Sequence, residues 1–200
     1  KIANYSYAHP TDSDRIPSAF VIPVAWSEVL ERIVPLALGL DSSAIQWILQ
    51  DTLVKGRMAK VMDFQTGKSP YEGHYLHSKI SIQWLEREQQ LRAGDCWIKT
   101  TPSTARLLME TLHPRANDSY FAWGFFDEVL QQKEYFSDYV FEDLAEEWLS
   151  RNPKDKAAFE QEKKKHPEWE KDGSAALWWV YSHSPYYEQT HKLYPVLFVD

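Results

Sequence analysis

Two hundred residues, 44% hydrophobic and 26% charged, suffice for a domain with a real core and exclude a disordered chain. A net charge of −7 with no dominant basic patch argues against nucleic-acid binding, which sets Lys and Arg against phosphates. No apolar run approaches the ~20 residues of a membrane helix, so no membrane insertion is expected, and a single cysteine, Cys96, leaves no internal disulfide framework.

In chain order, residues 1–17 carry two prolines and Thr11-Asp12-Ser13-Asp14, and read as a linker entering a single domain over 18–200. The start at Lys1, without Met or signal peptide, reads as a piece of a longer protein. Phe20–Val24 is a short apolar strand that Pro23 confines to an edge or an end. Ser27 is positioned to cap a helix over Glu28–Leu38, with Val29, Leu30 and Ile33 inward, Pro35 shortening or kinking it and Gly39 ending it. Ala44–Leu49, Leu53–Phe64, the alternating Ile80/Ile82/Trp84 and Cys96–Thr100 are strands. Residues 18–101 are therefore sheet-rich.

Residues 102–192 read as helical. Ser103 or Thr104 starts Ala105–Leu112, which His113-Pro114 closes. Asp118–Asp143 is the densest aromatic stretch, nine of its 26 residues. Helical spacing predicts a buried helix carrying Trp123, Phe126 and Leu130, capped by Asp118 or Ser119. After a break at Lys133–Phe136 a second helix, capped by Ser137, carries Leu144 and Trp148. These five side chains are expected in the core. A charged helix over Asp155–Lys171, an apolar one over Ala175–Tyr181 capped by Ser174, and a terminal strand within 193–200 complete the chain. The expected class is α+β: a small, mostly antiparallel sheet, an aromatic-rich helical half, and a C-terminal strand returning to the sheet.

Several of these segments resemble the region that follows the catalytic domain in large bacterial zinc carboxypeptidases of the carboxypeptidase A type. The motifs are Asp118-Ser119, Trp123, Phe125-Phe126-Asp127 and Gln132-Lys133-Glu134-Tyr135-Phe136, with Phe20–Trp26, Tyr71–Tyr75 and His183–Glu188 further out. The resemblance implies a non-catalytic accessory domain that packs on the peptidase domain of the same parent chain and shapes its cleft, in a periplasmic or secreted protein. Zinc is expected in the parent's peptidase domain, which would be a metallocarboxypeptidase, and no cofactor in this chain. That peptidase needs His-x-x-Glu among its zinc ligands; none of the seven histidines here begins that motif, so no catalytic residue is assigned.

The docking residues expected are Tyr71, Glu72, His74 and Tyr75, a turn-anchored loop with apolar bodies and polar tips, together with Phe20 and Trp26. His74-x-x-His77 has metal-ligand spacing only on a helix, and without a third ligand it reads as a hydrogen-bonded loop. Cys96 reads as a buried structural thiol, and in the cluster of Asp127, Glu128 and Glu134 the pair Asp127 and Glu134, near Lys133, reads as helix-end ion-pair partners rather than an acid–base set. The abundance of Trp and Tyr leaves an alternative of another class, a glycan-binding module, which requires exposed, clustered tryptophans.

Overall fold

The computed structural model describes residues 13–200. Contacts within the chain gather into two compact units: residues 13–127 with 194–200, and residues 128–193. The border falls inside the aromatic stretch that spacing reads as one helix pair, so the two units are described separately.

The first unit is built on an antiparallel sheet of six strands: β1 (Ala19–Ile22), β2 (Ile45–Trp47), β3 (Thr52–Thr66), β4 (His77–Leu91), β5 (Cys96–Lys99) and β6 (Leu197–Val199). Their spatial order is β2-β5-β1-β6-β3-β4. β1 is central, and all four of its residues are buried. Pro23 follows its last residue, where a missing N–H costs no ladder bond. The C-terminal strand does return to the sheet: β6 pairs with β1 through Ala19↔Val199 and meets β3 at Arg57↔Phe198. At that crossing Gly56 is required, because a Cβ there would lie 2.5 Å from the Phe198 carbonyl oxygen. β3 and β4 form a hairpin of two 15-residue strands, longer than the apolar alternation suggests. Its polar ends extend beyond the half-buried Ile80–Trp84 segment.

Helix α1 (Ser27–Leu40) buries Val29, Leu30, Ile33 and Ala37 on one side. Two expectations fail there. Trp26, not Ser27, occupies the N-cap, and the helix passes Gly39 to end at Leu40, with Pro35 inside it rather than cutting it short. Pro35 is exposed, so its ring faces solvent rather than a packed neighbour. Helix α2 (Ala105–Leu112) begins and ends where its flanking residues predict. The core joins the sheet to the aromatic stretch. Phe20 meets Phe198 edge-on at 4.8 Å, while Phe121 and Phe126 meet Tyr194 at 5.9 and 4.9 Å. Tyr194 is fully buried, and its hydroxyl donates to the Leu112 carbonyl (2.8 Å) at the end of α2.

The predicted buried helix over 118–132 does not form. Residues 117–126 run through successive turns, followed by a short 3-10 segment at Asp127–Leu130. Gly124 adopts φ +79, a left-handed conformation that ends helical continuation, and the Ser119 hydroxyl accepts from the Ala122 amide (3.0 Å). Phe121, Ala122 and Phe126 still reach the core, but Trp123 and Leu130, expected there, are only half-buried.

The second unit is helical, with α3 (Asp138–Arg151), α4 (Pro153–Lys165) and α5 (Gly173–His183). Phe141 and Ala145 of α3 and Val180 and Tyr181 of α5 form its buried centre. Leu144 and Trp148, expected in the core, pack around that centre half-buried. The charged helix stops at Lys165 because Pro167 lacks the N–H the next turn requires; a 3-10 turn (Pro167–Glu170) follows. Asp172, not Ser174, caps α5, accepting from the Ala175 amide at 3.2 Å.

Candidate functional site

The Tyr71–Tyr75 loop closes on itself. Tyr71 and His74 exchange both backbone hydrogen bonds (2.8 and 2.9 Å), which forces Glu72 and Gly73 to positive φ of 48° and 86°. Gly73 takes that conformation without strain, whereas Glu72 does so at a cost. The turn leaves Tyr71 58% and Tyr75 52% exposed. His74 points inward, stacked on Phe125 at 5.4 Å and edge-on to Trp123 at 5.5 Å; Tyr71 lies 6.1 Å from Trp123. The Arg32 guanidinium of α1 sits 4.7 Å over the same Phe125 ring. An aromatic base of Trp123, Phe125 and His74 therefore underlies Tyr71, with Tyr75 open beside it in sequence and the Arg32 cation over Phe125.

Of the residues expected to share this surface, Trp26 is half-buried and edge-on to Phe126 at 4.8 Å. Phe20 is fully buried in the central strand and presents nothing to a partner. The spacing of Phe20–Val24 indicates a strand but not how many sheet neighbours it has, and a central strand has no free face when both sides are packed.

The two histidines of His74-x-x-His77 serve different neighbours. His77 is buried, hydrogen-bonded through Nδ1 to Thr66 Oγ1 (3.1 Å) and through Nε2 to Asp127 Oδ1 (2.7 Å). Asp127 thus pairs with His77, while Glu128 pairs with Lys133 at 3.5 Å. Among the described residues no group of three or more His, Cys, Asp or Glu is arranged to hold a metal ion. Cys96 is buried, and desolvation pushes its thiol up to about 12, so it is not a thiolate nucleophile near neutral pH.

A polar cluster that composition and spacing did not reveal lies around Asp14. Its carboxylate accepts from Arg57 (3.0 Å), His113 Nε2 (3.0 Å), Trp84 Nε1 (3.0 Å) and Arg115 (3.3 Å). Burial by itself would raise the Asp14 carboxyl, but hydrogen bonds from His113, Arg57, the Arg15 amide and Trp84 hold it well below the usual carboxylate range. Arg57 is buried, donates to the Arg15 carbonyl (2.6 Å), and lies 4.3 Å over the Trp84 ring. The expected linker over 1–17 falls outside the described residues up to 12. The described remainder is tied down, with Asp14 in this cluster and Pro17 buried. A short Thr-Asp-Ser-Asp run carries no signal for partners 43 to 101 residues away.

In the second unit, buried Glu188 accepts from the amides of Lys133 (2.7 Å) and Glu134 (3.1 Å), and those bonds keep its carboxyl below its ordinary range. The motifs named above therefore meet in pairs. Trp26 touches Phe126, Tyr71 and His74 touch Trp123, His74 touches Phe125, and Glu188 holds Lys133 and Glu134. No protein-family model, curated protein or solved structure matches the chain.

Proposed function

We propose that this chain is a non-catalytic accessory domain of a zinc metallocarboxypeptidase-like protein, docking through its Tyr71–Tyr75 loop on the peptidase domain of the same polypeptide, beside that domain's cleft. The observation that carries the reading is the closed Tyr71–His74 turn set against Trp123 and Phe125, with Tyr71 and the adjoining Tyr75 left exposed. Tyrosines whose backbone is already fixed lose little freedom on binding and bring large amphipathic area to an interface. Phe20 drops out of the docking set, and Arg32 replaces it as a charged neighbour of the loop. The resemblance supplies the partner, its zinc and the exported location; the geometry supplies the surface.

Among the described residues Trp47 and Trp178 are the exposed tryptophans, one in each unit, which favours this reading over the glycan-binding alternative. The test has two arms. The reading frame that encodes the chain should also encode His-x-x-Glu in a preceding domain. Tyr71→Ala/Tyr75→Ala in that full-length protein should free the domain from the peptidase in limited proteolysis while its circular dichroism stays unchanged. A reading frame without the zinc motif removes the parentage, and unaltered proteolysis of a folded double variant removes the docking loop.

A further inference from the structure

Helices α3 and α5 both start at one cavity of about 370 Å³ in the second unit. Its wall includes Tyr135, Phe136, Trp178, Asp138, Asp172 and Ser174, and among the described residues no Lys, Arg or His lines it. Phe136 and Trp178 stack at 6.0 Å with planes 27° apart. Phe136 is braced from behind by Phe141 at 4.9 Å and Tyr181 at 4.7 Å, which belong to the buried centre of the unit. Tyr135 is 73% exposed and Trp178 40%, so two rings still offer open surface.

The hydrogen-bonding inventory of this wall is lopsided. The Ser174 hydroxyl donates to the Asp138 carboxylate, which uses up that donor. The Asp172 carboxylate accepts a single amide, from Ala175. Each carboxylate has about four acceptor positions, so most remain open on both. The N-termini of α3 and α5 offset roughly half a charge each, leaving a net charge of about −1 beside the two open rings. Acceptors, negative charge and π-faces together match a ligand with an apolar surface and a positive charge. A neutral sugar would leave the charge of the two carboxylates unmatched.

We propose that this cavity binds a small organic ammonium ion, its methylated or methylene groups against Tyr135 and Trp178 and its charge facing Asp138 and Asp172. The proposal rests on the second unit alone and stands independently of the docking loop in the first.

Isothermal titration of the full chain with choline and with its neutral isostere 3,3-dimethylbutanol tests it. Choline should bind, and the isostere about tenfold more weakly or not at all, since it fills the same space without the charge. Asp172→Asn keeps a good N-cap while removing one charge, and Tyr135→Ala alters an exposed ring. Each should weaken choline roughly threefold or more with the thermal transition unchanged. Retention on phosphatidylcholine vesicles would assign the ammonium to a lipid headgroup, and choline binding without retention to a free solute. Equal affinity for choline and the isostere overturns the proposal. So does binding of cellobiose in place of choline, or unchanged choline affinity in both variants.

Discussion

The two units spend their aromatic residues differently. In the first, a six-stranded sheet and two helices provide enough surface to enclose Phe20, Phe121, Phe126, Tyr194 and Phe198 completely. In the second, the three helices enclose a small centre of Phe141, Ala145, Val180 and Tyr181, and rings such as Phe136, Trp148 and Trp179 stay at its margin. Small assemblies bury a smaller share of their surface. The difference teaches that aromatic density alone does not mark a core. Where the surrounding layers are thick the rings stabilise the fold, and where they are thin the rings remain available for recognition. The Tyr71–Tyr75 loop combines both cases: its rings are open, but the base beneath it joins the enclosed core through Phe126 and its neighbours.

The sharpest way to break this comparison is to remove one enclosed ring. Phe126→Ala should cost about 3–5 kcal/mol, since it leaves a cavity against Trp26 and Tyr194. Against a typical stability of ~5–15 kcal/mol, the protein would be marginal in urea titration. Half-buried Trp123→Ala should lose clearly less, and an equal loss would erase the distinction drawn between enclosed and marginal rings.

Next comes the crossing of β3 and β6. Gly56→Ala places a methyl 2.5 Å from a backbone carbonyl oxygen that cannot rotate away, so β6 must shift. A loss of about 1–3 kcal/mol is expected in the denaturation midpoint. In the second unit, Glu188→Ala leaves the Lys133 and Glu134 amides without their acceptor and should cost about 1–3 kcal/mol. Hydrogen exchange of residues 131–136 should speed up in that variant while exchange in β1 stays the same.

The smallest effect sharpens the comparison through pH. The folded-state pKa of Asp14 is depressed, so its stabilising contribution is fully present above the unfolded carboxylate pKa of about 4 and fades as pH falls towards the folded value. Wild-type stability should therefore drop below about pH 4, and Asp14→Asn should flatten that part of the curve. A variant as acid-sensitive as wild type would show that other carboxylates govern the acid limb.

Much of the fold was legible in the sequence because it is set locally. Thr104 before α2 and His113-Pro114 after it bracket the helix, and Ser137 stands at the start of α3. Local chemistry also fixed the turn at Gly73 and the class, α+β with a terminal strand in the sheet. What was misread depends on competition between signals. The aromatic spacing of 118–132 suits a helix, yet Gly124 in the middle takes positive φ and turns prevail. Pro167 in the charged run was a legible stop that helical charge pairing obscured. The Asp14 cluster and the cavity at the start of α3 and α5 join residues far apart in sequence, and no local pattern encodes such meetings. Likewise Phe20 could be read as strand, but its enclosure depends on β5 and β6 flanking it.

Hydroxyl-radical footprinting of the whole chain tests the division between enclosed and open rings most directly, because it reads side-chain accessibility residue by residue. The expected result is fast oxidation of Tyr71, Tyr75, Tyr135, Tyr139 and Trp178, and strong protection of Phe20, Phe126, Tyr194 and Phe198. Oxidation of Tyr194 at the rate of Tyr139, or protection of Tyr71 and Tyr135 in the isolated chain, would contradict it.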